Sequence, residues 1–206
     1  LSSILTLAGS SSVTISGCTL NASTINNSGT IYLDGTNIAA TLSLDNGTTL
    51  TNSGVVQISN SDNTVTIQGD AAGTATFSGT DIDYNSLDIT LARLTYNPTM
   101  NLAASEDVIF TGDSILTSTL TLAGSSTLMI SGCTLNTAAI NNSGTIYLNG
   151  TSAAVTLSLD AGTTLMNSGI VQILNSDNKV TLQGDGGGTA TFSGTDIDYN
   201  SLDITL

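Results

Sequence analysis

The sequence predicts an all-β fold, a parallel β-solenoid (β-helix) with three short strands per turn and about nine turns. Short segments in which apolar and polar residues alternate, such as 30–33 and 64–67, indicate strands. Ser-Gly pairs recur every 25 residues, beginning at Ser28, Ser53 and Ser78. Three strands and three turns in about 25 residues are typical of one solenoid turn. An antiparallel sandwich would explain the short strands but not this fixed spacing.

The chain also repeats on a longer scale. An offset of 115 residues aligns residues 1–91 with 116–206 without a gap, and about 70 of the 91 pairs are identical. We therefore expect one continuous β-solenoid over 1–206, with a first superrepeat at 1–115 and a second, truncated one at 116–206. Residues 92–115 occur once. We expect the chain to be a window of a longer array, with any secretion signal outside it.

Stacking of these turns would place like residues over like. Ile, Leu and Val fill the predicted inward positions, and a 25-residue spacing puts Ile25 over Leu50 over Ala75. The same spacing puts Asn27 over Asn52, where side-chain amides can form a hydrogen-bonded ladder. Phe77 occupies the next position and is expected to end that ladder.

Composition excludes several classes of function. The 206 residues carry 16 acidic and 2 basic side chains, for a formal charge of −14, and His is absent. Two basic side chains are too few to form a positively charged surface that binds nucleic acid. The apolar runs are only a few residues long, which predicts that the chain does not insert into a membrane. Without His there is no imidazole base and no Ser-His or Cys-His pair. We therefore expect a folded, acidic protein that is not an enzyme.

Two copies of one acidic segment, 81–88 and 196–203, open with the D-x-D-x-N pattern of calcium loops. The pattern lacks the Gly and the closing Glu of an EF-hand. Alternation predicts a strand over 81–84, with Ile82 and Tyr84 on one side and a solvated carboxylate face on the other. A loosely bound Ca²⁺ is the alternative, and no other cofactor is expected. Its candidate ligands are Asp81, Asp83, Asp88, Asp196, Asp198 and Asp203.

Cys18 and Cys133 occupy equivalent positions in the two copies. Five turns of about 4.8 Å would separate them by about 24 Å, whereas a disulfide requires Cα atoms within about 7 Å. A bond between the two within one chain is therefore excluded. Each is either a buried structural thiol or one half of an intermolecular disulfide between neighbouring copies.

Threonine pairs such as Thr64 and Thr66 would present hydroxyls on outward strand faces, as in ice-binding β-solenoids. The predicted rows are irregular, and Lys179 replaces Thr64 in the second copy. The ordinary preference of Thr for strands explains them better.

The segments I-N-N-S-G-T-I-Y-L at 25–33 and T-L-T-N-S-G-V-V-Q-I at 49–58 resemble the N-S-G-x-I units of filamentous-haemagglutinin-type adhesins. The resemblance implies a secreted, right-handed parallel β-helix at a microbial surface. This chain differs in its 25-residue units and its 115-residue superrepeat.

These observations lead to one functional expectation and one alternative. We expect a structural repeat segment of an extracellular filament, sheath or stalk that extends by end-to-end stacking of its turns. Its partners would be copies of itself, with no nucleic acid. The alternative is the stalk of a cell-surface adhesin whose binding tip lies outside this segment.

Overall fold

The computed structural model describes residues 4–175, 177–187 and 189–198. The chain divides into two compact units, Leu1–Pro98 (unit 1) and Thr99–Leu206 (unit 2). Each unit is a parallel β-solenoid with three strands per turn, and together they contain about eight turns. The fold class is therefore confirmed, with about eight turns where the sequence predicts about nine.

Unit 1 contains three parallel sheets that its chain visits in rotation. One sheet has the order β1-β4-β7-β10-β12, the second β2-β5-β8, and the third β3-β6-β9-β11, as numbered below. The strands are β1 (Leu5–Leu7), β2 (Ser12–Ser16), β3 (Thr19–Ala22), β4 (Ile25–Asn27), β5 (Thr30–Asp34), β6 (Ala40–Leu44), β7 (Thr49–Asn52), β8 (Val55–Asn60), β9 (Val65–Gly69), β10 (Ala75–Gly79), β11 (Ile89–Ala92) and β12 (Leu94–Tyr96).

Unit 2 has the same parallel pairing, and two of its strands are long enough to pair with different strands along their length. The long strands are β15 and β17: β15 pairs with β13 and with β17, and β17 pairs with β19 through 134–137 and with β20 through 140–142. β19 in turn pairs with β22. A separate sheet has the order β14-β16-β18-β21. The elements are β13 (Met100–Leu102), β14 (Asp107–Gly112), β15 (Ser114–Leu122), β16 (Thr127–Ser131), β17 (Thr134–Asn142), β18 (Thr145–Asn149), β19 (Val155–Leu159), β20 (Thr164–Asn167), β21 (Ile170–Asn175), β22 (Val180–Gly184), the 3-10 turn Asp185–Gly187 and β23 (Thr191–Gly194).

The core of each unit is a stack of aliphatic layers. Strand side chains alternate between the inside and the outside, as a two-residue period requires. In β5, for example, Ile31 and Leu33 are buried while Thr30, Tyr32 and Asp34 are partly exposed. The described strand pairs of β5 with β2 and with β8 are parallel. Parallel pairing in this rotation excludes the antiparallel sandwich.

The predicted vertical register is correct for two turns and wrong for the third. Ile25 lies opposite Leu50, as expected, but Leu50 lies opposite Phe77 and not Ala75. Leu44 and Gly69 are opposite each other in the preceding sheet, and two more residues separate Gly69 from Phe77 than separate Leu44 from Leu50. The longer corner at 70–74 therefore shifts the next strand by two residues.

The acidic segment also differs from its prediction. No strand covers 81–84, because only Asp83 pairs there, through an isolated parallel bridge to Gln57. Asn85 and Ser86, with φ of 53° and 58°, turn the backbone directly after it. Left-handed backbone at two consecutive residues ends an extended segment.

Candidate functional site

One buried polar feature of unit 1 is an amide ladder, which consists of Asn27 and Asn52 at one corner of successive turns. The Asn27 Nδ2 donates to Asn52 Oδ1 at 2.8 Å and to Val55 O at 2.9 Å, and its Oδ1 accepts from Gly29 N at 3.1 Å. Asn52 Nδ2 donates to Thr80 O at 3.0 Å. Both side chains are buried. Because buried amides must be hydrogen-bonded, this ladder fixes which turn lies on which.

Unit 2 contains the equivalent ladder, with the difference that Asn142 Oδ1 has no hydrogen-bond partner among the described residues, whereas Asn27 Oδ1 accepts from Gly29 N. Asn142 Nδ2 donates to Asn167 Oδ1 at 2.7 Å, and Asn167 Nδ2 donates to Thr195 O at 2.8 Å. The prediction that Phe77 ends the ladder in unit 1 is wrong, since the residue opposite Asn52 is Gly79. A Cβ at Gly79 would collide with the Asn52 carbonyl, so a further Asn cannot stand there. The ladder therefore ends for lack of space.

The predicted calcium ligand Asp81 belongs instead to a carboxyl–phenol cluster with Tyr84 and Tyr96. Its Oδ1 accepts a short hydrogen bond from the Tyr96 hydroxyl, another from the Tyr84 hydroxyl at 3.3 Å, and a third from Ile82 N at 2.8 Å. Both tyrosines are buried. The Asp81 carboxylate, which accepts from three donors, thereby connects the segment that follows β10 to Tyr96 at the end of β12.

The remaining candidate calcium ligands that the structure describes do not share a common partner. Asp83 Oδ2 accepts from Gln57 Nε2 at 2.8 Å, and its equivalent Asp198 accepts from Gln172 at the same distance. Asp196 Oδ1 accepts from Ile197 N. The backbone N of Asp88 donates to Ser61 Oγ, and Asp203 lies outside the described residues.

Within the part of the chain that the structure describes, no three Asp, Glu, Cys or His side chains lie close enough together to hold a metal ion. The carboxylates of Asp81, Asp83, Asp196 and Asp198 accept hydrogen bonds within and between turns. Calcium binding at the segment stays a prediction.

The carboxyl–phenol cluster predicts that unit 1 loses stability at alkaline pH. Burial is the main cause that raises the pKa of Tyr84 and of Tyr96 well above 10, and neighbouring charges, including Asp81, raise both further. Tyrosine with a raised folded pKa stabilises the fold below the unfolded value of about 10 and loses that contribution as pH rises above it.

We therefore expect both phenols to ionise only as unit 1 opens, which absorbance at 295 nm with parallel circular dichroism would show. The variant Tyr96→Phe should make alkaline unfolding shallower. Ionisation of both phenols without any change in the circular dichroism would contradict this.

The two cysteines have different environments despite their equivalent positions. Cys18 is exposed, whereas Cys133 is buried and its Sγ donates to Phe110 O at 3.3 Å. Burial raises the pKa of the Cys133 thiol to about 11. For Cys133 this arrangement is that of a buried structural thiol. An intermolecular disulfide stays a prediction, and exposure favours Cys18 for it.

In dilute solution at pH 8, we expect iodoacetamide to modify Cys18 and to leave Cys133 unmodified until the chain unfolds. The thiolate is the reacting species, and Cys133 is both covered and held in the thiol form. Mass spectrometry of tryptic peptides would quantify each site, and Cys18→Ser isolates the Cys133 signal. Equal modification rates at the two sites in the folded chain would contradict the burial described here.

Threonine forms single outward columns. Thr19, Thr41, Thr66 and Thr90 follow one another across four turns of unit 1. The neighbouring column is mixed and contains Asn21, Ser43, Gln68 and Ala92, of which Ser43 and Ala92 are buried. One Thr column beside a mixed one is not a flat two-dimensional hydroxyl array, which favours the ordinary strand preference of Thr.

Comparison with family models, with curated proteins and with solved structures found no match to this chain. No helix within the described residues has the length and apolar character needed to cross a membrane.

No local sequence pattern points to two polar residues of these clusters. Tyr96 lies 15 residues beyond its partner Asp81. Gln57 lies 26 residues before its partner Asp83. The recurrence of Gln57 as Gln172 in the second copy is the one sequence signal that could have indicated a role for it.

Proposed function

We propose that the chain is a structural segment of an extracellular filament, sheath or stalk, built by the stacking of β-solenoid turns. The observation that carries this proposal is the amide ladder, whose Nδ2 donations from one turn to the next recur 115 residues later. In each ladder the donor belongs to one turn and the acceptor to the next, so this buried hydrogen bond stabilises the stacking of turns. In both units it coincides with stacked aliphatic layers.

The surface chemistry supports the same proposal. The polar clusters of the described residues hold one turn to the next: Gln57 to Asp83, Ser28 to Ser53, and Arg93 to the carbonyls of Gly69 and Asp70. Arg93, one of only two basic residues in the chain, therefore forms its hydrogen bonds to these carbonyls within unit 1. The extracellular location is supported by the resemblance of the N-S-G units to filamentous-haemagglutinin-type adhesins.

Antibody labelling of intact source cells tests this proposal. An antibody raised against the folded chain should decorate surface structures along their length, and external protease should remove the epitope. Label confined to broken cells would overturn the proposal. Label along a stalk that ends in an unlabelled tip would favour the adhesin stalk over the filament.

A further inference from the structure

The outward face of the sheet β14-β16-β18-β21 in unit 2, here called the lateral face, is apolar over much of its area. Ile170 and Leu174, at outward positions of β21, are 50% and 38% exposed. A column of partly exposed side chains crosses the same face from strand to strand and consists of Ile109, Met129, Tyr147 and Gln172. Contiguous exposed apolar side chains are a mark of contact surfaces, whereas single ones are not.

The equivalent sheet of unit 1, β2-β5-β8, shows that the fold does not require this apolar character. Five outward positions differ between β2, β5 and β8 and their equivalents β16, β18 and β21. At every one of them unit 2 either loses a charge or gains apolar atoms. The exchanges are Thr127 for Ser12, Met129 for Thr14, Asn149 for Asp34, Ile170 for Val55 and Leu174 for Ser59. The differences between two nearly identical copies thus make one face of unit 2 more apolar.

The exposure of the lateral face is independent of the two ends of the chain. In unit 1 the segment 81–88 lies against β8, where Asp83 accepts a hydrogen bond from Gln57, and this segment is described throughout. Beside it Val55 is still 41% exposed and Ser59 is exposed. The positions of Ile170 and Leu174 are therefore open in a complete turn as well. A further turn stacked on unit 2 would extend this face and would not cover it.

The distribution of charge indicates what covers the lateral face. Its four strands are described, and the one charged residue at their outward positions is Asp107, at the start of β14. Asp113 and Asp177 lie in the corners that follow β14 and β21, and Asp198 lies beyond β21. Copies with a formal charge of −14 repel each other, and least where they meet over a surface without charge. A second copy brings the same uncharged apolar surface.

We propose that the lateral face of one chain binds the lateral face of a second copy, side by side. This inference rests on the proposed function and adds to it how neighbouring arrays of stacked turns bind each other. Both faces have columns about 4.8 Å apart, so their side chains can interdigitate in register. Burial of the exposed apolar side chains on both sides provides the driving force.

The size of the lateral face sets the strength of this contact. Four strands of about five residues cover roughly 300 Å² in projection, less than the area of about 800 Å² that each partner buries in a standard interface. A single pair of faces therefore binds weakly and reversibly. In a longer array the face recurs with each superrepeat, and several weak contacts on one pair of arrays add up to firm binding.

Sedimentation velocity of the purified 206-residue chain tests the proposal, with circular dichroism to confirm folding. The wild-type chain should form reversible dimers at high protein concentration. A rise in NaCl from about 0.05 M to about 0.5 M should strengthen the association, because salt screens the repulsion between acidic chains and leaves the apolar contact in place. Association that weakens with salt would contradict an uncharged apolar contact.

An exchange between the two copies tests which surface is involved. The triple variant Met129→Thr, Asn149→Asp and Leu174→Ser gives the lateral face the residues that the same fold already carries in unit 1. It should weaken association on the order of tenfold or more. Ile38→Ala is the matched control, since it replaces a 62% exposed side chain in a corner of unit 1 with the residue found at the equivalent Ala153. This control should associate like the wild type.

Hydroxyl-radical labelling with mass spectrometry locates the contact directly. Tyr147 lies within the lateral face, and Tyr32 is its equivalent in unit 1. In the associated wild-type chain the labelling of Tyr147 should slow, while that of Tyr32 should not change. A chain that stays monomeric at all protein and salt concentrations overturns the inference, as does association that the triple variant leaves unchanged. These outcomes are independent of cell-surface labelling, so failure of this contact and failure of the proposed function are distinguishable.

Discussion

Gly54→Ala is expected to destabilise unit 1 by about 3 kcal/mol or more. A Cβ on Gly54 would collide with the backbone carbonyl oxygen of Gly29 in the turn beside it. The backbone at Gly29 cannot move aside as a flexible side chain can. Any separation of the two turns to make room for the methyl group would break the adjacent hydrogen bond from Val55 N to Gly29 O, which is 2.9 Å long. Hydrogen exchange with mass spectrometry over β4, β5, β7 and β8 would measure the loss of protection.

Gly9→Ala is the matched control for this change. The same methyl group at Gly9 would meet its nearest atom, Ser28 O, at 3.7 Å, which is ordinary van der Waals contact. We expect it to change protection little. Equal effects of the two substitutions would contradict the close approach of turns at the Ser-Gly corner.

Phe77→Ala is expected to cost unit 1 about 3–5 kcal/mol, the range for removal of a buried aromatic ring. Phe77 is completely buried between Leu50 and Tyr96 and stacks on the Tyr96 ring. Its loss leaves a cavity next to the carboxyl–phenol cluster. We therefore expect faster hydrogen exchange in β10 and β12 and ionisation of Tyr96 at lower pH, measured by absorbance at 295 nm.

The second copy supplies the control for this position. Phe192→Ala removes the same ring from a half-buried site, so it should lower the stability of unit 2 clearly less. Phe77→Leu, which keeps most of the volume, should fall between the wild type and Phe77→Ala. A larger loss from Phe192→Ala than from Phe77→Ala would contradict the burial described for the two rings.

The strands, the parallel turns and the amide ladder follow from local pattern and spacing. Alternation selects which side chains point inward, and the 25-residue interval brings Asn27 to Asn52. The register of Leu50 with Phe77 does not follow, because it depends on the length of the corner at 70–74, which no periodicity encodes.

The candidate sites were less predictable because their partners come from other turns. Asp81 has the spacing of a metal ligand, yet its oxygen binds two phenols, one of them 15 residues away. Cys18 and Cys133 have similar neighbours in sequence, and their difference in exposure depends on whether another turn covers them.

Cryo-electron microscopy of fibres isolated from the source surface tests the central claim most directly, that the chain is a structural element made of stacked turns. We expect smooth fibres with an axial spacing of about 4.8 Å for each turn and about 24 Å for each five-turn superrepeat, containing this chain by mass spectrometry. Recovery of the chain only as compact monomers, with neither spacing in any fibre, would contradict the account.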